Sequence, residues 1–168
     1  HNDSGVSSSV SITINKATDA YATIDINSTE LTYNGSSQQL TINLSSHGCT
    51  TYMALGSSST SAPTSGWQTS HLYATNAGTY YVWYKFEPDS NHSNSKSATY
   101  VGSKTIKRLT TASASVITGF TQDSNNKKYY TGSSQTGVTG SYVSWSGTTS
   151  SVNAGDFTAT ATPESNYA

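Results

Sequence analysis

Apolar and polar residues alternate two by two along much of this chain. Ser11-Ile12-Thr13-Ile14, Ala22-Thr23-Ile24-Asp25-Ile26 and Leu40-Thr41-Ile42-Asn43-Leu44 each put an aliphatic side chain at every second position. Successive side chains of an extended strand point to opposite faces, so this period predicts strands with one buried face. Thr51-Tyr52-Met53-Ala54-Leu55 predicts another short strand. The strongest signal runs from Thr79 to Phe86. There Tyr80, Val82, Tyr84 and Phe86 share one face, and Tyr81, Trp83 and Lys85 share the other. Phe157, Ala159 and Ala161 repeat that pattern with smaller side chains.

Turn-forming residues separate these runs. Asn34-Gly35, His47-Gly48, Gly56-Ser57-Ser58, Ala62-Pro63-Thr64-Ser65-Gly66, Asn76-Ala77-Gly78 and Pro88-Asp89-Ser90-Asn91 all fall between apolar segments. No stretch carries a helical period long enough to form a stable amphipathic helix. Many short strands at this spacing predict an all-β protein, a sandwich or a barrel.

The chain also repeats itself. Tyr33-Asn34-Gly35-Ser36-Ser37-Gln38 returns as Tyr130-Thr131-Gly132-Ser133-Ser134-Gln135. Asn76-Ala77-Gly78-Thr79-Tyr80 returns as Asn153-Ala154-Gly155-Asp156-Phe157, and Asp89-Ser90-Asn91-His92 as Glu164-Ser165-Asn166-Tyr167. The order is kept, which marks tandem units. The segment around Val10–Lys16 resembles Val101–Lys107. The expected organisation is a terminal strand of a preceding repeat over 1–17, a complete repeat over 18–108, and a second repeat over 109–168 that stops before its last strand. An orphan strand and an incomplete sheet in one chain also raise the expectation of strand exchange between copies.

Composition narrows the class. Lys and Arg number 8 against 9 Asp and Glu, for a net charge of −1. That balance excludes the basic footprint of a nucleic-acid binder. Ser and Thr are abundant enough to suggest disorder, but twelve Tyr, three Trp and three Phe are too many for a solvating tail. Tyr and Thr favour the pleated surface of a strand. The reading is a thin core with a hydroxyl-rich exterior. The single cysteine, Cys49, forms no internal disulfide and reads as a small packed side chain. No apolar run is long enough to span a bilayer.

Ala77-Gly78-Thr79-Tyr80 looks like the tyrosine corner of immunoglobulin-like folds, in which a Tyr hydroxyl bonds back to the upstream backbone. Where antibody domains carry a cysteine two residues on, this chain has Val82. In the second repeat the place of Tyr80 falls to Phe157, which has no hydroxyl to donate.

On these residues the chain resembles the bacterial immunoglobulin-like repeats called MBG domains. The segments that carry the likeness are Leu31–Gln38, Ala62–Trp67, Asn76–Lys85 and Asp89–His92, with Tyr130–Val138, Asn153–Gly155 and Ser165–Tyr167 in the second repeat. Such repeats occur in tandem in large surface proteins of gut bacteria. The resemblance implies tandem immunoglobulin-like β-sandwiches, a stalk or adhesin-repeat role at the cell surface, and no catalytic residues. His47-Gly48-Cys49-Thr50 and the Lys127-Lys128 hairpin lie outside its motifs.

The residues themselves offer little chemistry. There is no G-x-S-x-G elbow, and the acidic residues gather into no constellation. His1, His47, His71 and His92 lack ligand spacing, so neither a metal nor a cofactor is expected. Asp89-Ser90-Asn91 and Asp123-Ser124-Asn125 offer oxygens to calcium, but the plainer reading is an Asx turn. One binding surface stands out. Tyr81 and Trp83, with Lys85 beside them and Trp67 nearby, would form a platform for a sugar ring if that face is solvated. The plainer reading is that a loop covers the indoles.

The expectation is therefore a non-catalytic spacer, extracellular or at the cell surface, whose partners are neighbouring repeats of the same chain. A carbohydrate-binding module gripping a glycan or host surface is the alternative. An immunoglobulin-like domain of a phage virion is the second alternative.

Overall fold

The computed structural model describes residues 9–116, 133–136, 138–153 and 156–168. The protein is all-β, and no helix occurs among the described residues. The stretch 18–108, read from the sequence as the first repeat, holds β1 (Tyr21–Ile26), β2 (Leu31–Thr32), β3 (Gln38–Gln39), β4 (Thr41–His47), β5 (Cys49–Gly56), β6 (Tyr73–Ala74), β7 (Gly78–Pro88) and β8 (Lys96–Lys107). The second holds β9 (Ser113–Val116), β10 (Gln135–Thr136), β11 (Val138–Ser141), β12 (Val143–Gly147), β13 (Ser150–Ser151) and β14 (Ala159–Pro163).

A four-stranded sheet in the order β2-β8-β7-β5 forms the largest element. Its β5-β7-β8 ladders are antiparallel, and β2 joins β8 in parallel. β1 pairs with β4, with a bulge between Ile24 and Asp25. Opposite that bulge Asn43 takes the left-handed conformation at φ 48°, which Asn tolerates better than most residues. Its amide donates to Asp25 Oδ2 at 3.2 Å.

The alternation read from the sequence now has a physical outcome. Leu40, Met53, Leu72, Val82 and Ile106 form a buried cluster, and Ile24, Ile26, Leu44, Tyr80 and Tyr84 pack on it. The β1-β4 pair thus meets the larger sheet through its aliphatic face. Full burial of each of these aliphatic side chains contributes about 1.5–3 kcal/mol. A smaller cluster of Ala20, Ala22 and Phe86 continues the core. The sheets approach closely at Gly102, where a Cβ would lie 2.6 Å from Ile26 Cδ1.

The tyrosine corner forms as its sequence predicts. Tyr80 donates its hydroxyl to the Asn76 carbonyl at 2.7 Å. Phe157, by contrast, lies outside β14 and is 51% exposed. The matching Ala154-Gly155, the Lys127-Lys128 hairpin, Asp123-Ser124-Asn125 and Tyr130–Gly132 lie outside the described residues.

One expectation needs correction. Ser11–Ile14 forms no strand, and Val10, Ile12 and Ile14 are 82–90% exposed. Alternation supplies a face to bury, but a strand also needs a partner for its N–H and C=O groups. No partner strand lies beside this segment among the described residues.

In the second repeat the sheets are two-stranded: β9-β11, β10-β13 and β12-β14. The ladder from Val143 to Pro163 reproduces the one from Cys49 to Pro88. Among its described residues none is buried.

Candidate functional sites

The outer face of β5, β7 and β8 carries the aromatic residues singled out in the sequence. Trp83 is only 6% exposed. Its indole N–H donates to the Ser58 carbonyl at 3.0 Å, and its ring lies so near Gly56 that a Cβ there would stand 2.7 Å from Nε1. The loop after β5 therefore lies over the ring, and Tyr100 packs beside it with centroids 5.7 Å apart. Tyr81 is half-buried, its ring centroid 6.3 Å from that of Tyr100. Lys85 and Trp67 meet each other. The Lys85 ammonium lies 5.3 Å from the centroids of both Trp67 and Tyr52, a cation–π contact, and 3.4 Å from Glu87. Of the predicted residues, Tyr81 and Trp83 thus both pack on Tyr100, and Lys85 packs on Trp67 and Tyr52.

A second place of interest is where the backbone leads into each repeat. Ala17 pairs in parallel with His92, and Leu109 pairs in parallel with Tyr167. The hydrogen bonds match: Ala17 N–H to Asn91 O at 2.9 Å and Ser93 N–H to Ala17 O at 2.9 Å, against Leu109 N–H to Asn166 O and Ala168 N–H to Leu109 O, both 3.0 Å. The turn between the flanking strands matches too. Asp89 N–H donates to Gly48 O and Glu164 N–H to Tyr142 O, each at 3.0 Å. Gly48 and Tyr142 both adopt positive φ, 63° and 56°. These are equivalent corners with different side chains.

At the corner of the second repeat the side chains reach back to the first. Asn166 Oδ1 accepts the Ala77 N–H at 2.8 Å, and its amide donates to Asn76 Oδ1 at 3.2 Å. Tyr167 stacks on Tyr142 with centroids 4.0 Å apart and turns its edge to Tyr33 of the first repeat at 5.5 Å. Desolvation there, followed by the neighbouring Tyr33 and Tyr142 hydroxyls, pushes the Tyr167 phenol above its ordinary range.

At the corner of the first repeat the side chains are ionisable. Asp89 Oδ1 accepts the N–H groups of Asn91 at 2.8 Å and His92 at 3.1 Å, an Asx turn as expected from the sequence. The same oxygen lies 2.7 Å from His92 Nδ1. The His92 hydrogen bond and the Asn91 N–H hold the Asp89 carboxyl below its usual range. His92 Nε2 points at Asp19 Oδ1, 3.3 Å away, and His47 Nε2 lies 3.8 Å from Asp19 Oδ2. The two imidazoles meet edge to face at 5.3 Å, and His47 also stacks on Tyr21 at 5.7 Å. Gly48 makes this possible. A Cβ there would stand 2.5 Å from the His92 ring. Cys49 turns away, its thiol 3.2 Å from the Tyr21 carbonyl oxygen.

Spacing along the chain did not reveal this cluster, since Asp19, His47 and His92 are far apart in sequence. The signal was in the repeat: Gly48 stands where Tyr142 does, and His92 where Tyr167 does. No family model, curated protein or solved structure matches the chain. The likeness to MBG repeats therefore rests on the sequence motifs.

Proposed function

We propose that this chain is a non-catalytic spacer from a cell-surface or secreted protein, in which tandem immunoglobulin-like sandwiches are held end to end. The tyrosine corner and the facing of β1-β4 on the larger sheet support the sandwich reading. The observation that carries the spacer reading is the joint. A covalent link alone leaves neighbouring repeats free to swivel. Here Asn166 makes two hydrogen bonds across to Asn76 and Ala77, and Tyr167 sits between Tyr142 and Tyr33. Those contacts favour one relative orientation, which is what an array needs to project a distant tip. The scarcity of charge and the abundance of hydroxyls suit an inert exterior.

Asn166→Ala tests the reading. It removes both inter-repeat hydrogen bonds, worth about 0.5–1.5 kcal/mol each, without touching either core. Small-angle scattering and NMR relaxation are expected to show two repeats tumbling more independently in the variant. Identical tumbling, or independent tumbling already in the parent protein, would sink the rigid-spacer reading.

Glycan binding through Tyr81, Trp83, Lys85 and Trp67 draws less support. Trp83 is covered, and Lys85 lies over the ring of Trp67 on which a sugar would stack.

A further inference from the structure

The leading corner of the first repeat gathers two imidazoles and two carboxylates from distant parts of the chain. Ionised Asp89 only accepts hydrogen bonds, so His92 Nδ1 must carry the hydrogen in their 2.7 Å contact. That turns the other ring nitrogen, Nε2, away from Asp89 and toward Asp19. Nε2 faces a carboxylate oxygen of Asp19 at 3.3 Å, and His47 Nε2 faces the other at 3.8 Å. Three potential metal-ligand side chains therefore converge at one corner.

We propose that Asp19, His47 and His92 form a divalent transition-metal site, best matched to zinc, with Asp89 as the carboxylate that orients His92. The ligand atoms of the three residues all lie within 4.8 Å of one another. Zinc binds nitrogen and carboxylate oxygen at about 2.0–2.2 Å in a tetrahedron, a geometry that sets neighbouring donors roughly 3.3 Å apart. His92 stands at that distance from Asp19 Oδ1 and His47 at 3.8 Å from Asp19 Oδ2, so closure needs the exposed Asp19 and His47 side chains to draw in. Two imidazoles and one carboxylate favour zinc over calcium, which takes oxygen donors in larger number. Water completes the fourth position. The Asp89–His92 contact is the arrangement in which a metal-bound histidine gives its other N–H to a carboxylate, fixing ring and tautomer.

Several features look arranged around the site. His92 is 13% exposed in its side chain, and its ring occupies the space left by the missing Cβ of Gly48. Tyr21 backs the His47 ring. The second repeat keeps the backbone of this corner but replaces Asp19, His47 and His92 with Thr111, Ser141 and Tyr167, so the site is not a requirement of the fold. A bound ion would tie the chain leading into the repeat to the β4–β5 turn.

The test uses the full chain with zinc alone, and with cobalt as a coloured replacement. Calorimetry is expected to show one zinc per chain, and cobalt the intense visible bands of a four-coordinate site. Asp19→Asn and His47→Gln should each abolish both signals. Their side chains are 70% and 53% exposed, so neither change threatens the fold, and circular dichroism checks that it survives. Asp89→Asn, which still accepts the turn hydrogen bonds, should weaken affinity by about 10–100-fold. His71→Gln and His1→Ala should leave binding unchanged. Absence of stoichiometric zinc binding overturns the proposal, and so does binding that survives Asp19→Asn and His47→Gln.

Discussion

The two repeats share a ladder and differ in what fills it. In β7, Phe86 lies opposite Thr51 and is 5% exposed; in β14 the equivalent Ala161 lies opposite Trp145. Beside Ala161 the second repeat has an open apolar groove lined by Ala112, Ala114 and Val143. The corresponding place in the first repeat is closed by Ala20, Ala22 and Phe86. Register is thus maintained where side-chain volume is not. Backbone pairing and the turn at Gly48 or Tyr142 define the path, while burial determines how firmly each repeat holds it.

The largest expected effect breaks this contrast directly. Leu40 is fully buried in the first core, and Leu40→Ala should destabilise that repeat by about 2–5 kcal/mol. Val143 is half-buried beside an open groove. Val143→Ala leaves little new cavity and should cost under about 1.5 kcal/mol. Urea unfolding, followed repeat by repeat through amide exchange, measures both. Equal losses would mean that the second repeat has a core as tight as the first.

Next in size is the turn. Gly48→Ala forces a Cβ into left-handed backbone at φ 63° and against the His92 ring. Strain of this kind costs about 1–3 kcal/mol, and His92 must shift. Tyr142→Gly runs the experiment in reverse. It relieves strain at φ 56° but gives up the stack on Tyr167, worth about 0.5–1.5 kcal/mol, so the net change should lie near zero. Melting temperatures read both, and the His92 ring resonances should move only in Gly48→Ala. A neutral Gly48→Ala would remove the steric account of this corner.

These contrasts were partly legible in the sequence. The alternations that became β1, β4, β5 and β7 are long, rich in aliphatic or aromatic residues and bounded by turns, so local pattern and tertiary burial agree. Ser11–Ile14 has the same pattern but no partner, and periodicity carries no information about a neighbour. The two-residue strands β2, β3 and β6 are too short to leave a period. Trp83 follows the alternation but is covered by the Ser58 loop, a contact across 25 residues. The Asp19–His47–His92 cluster was the hardest to read, because the parallel pairing of Ala17 with His92 assembles it from distant segments.

The smallest expected effect concerns acid. Asp89 accepts from His92 and from the N–H groups of Asn91 and His92, and these hold its carboxyl below the ordinary value of 3.8. A carboxyl whose folded value is depressed binds fewer protons folded than unfolded. Its contribution is therefore complete above the unfolded value, about 4, and is lost as pH falls through the lower folded value. Melting temperature should consequently drop on acidification below about pH 4–5, and Asp89→Asn should flatten that part of the profile while lowering the melting temperature at neutral pH. The turn is exposed to solvent, so screening keeps the difference small, and added salt should shrink it further. The change belongs to the first repeat, because His92, whose hydrogen bond is the strongest cause of the shift, is replaced in the second by Tyr167, which has no ring N–H to donate. A profile that steepens in Asp89→Asn would place the acid-sensitive contact elsewhere and leave the Asp89–His92 pair without an energetic role at this corner.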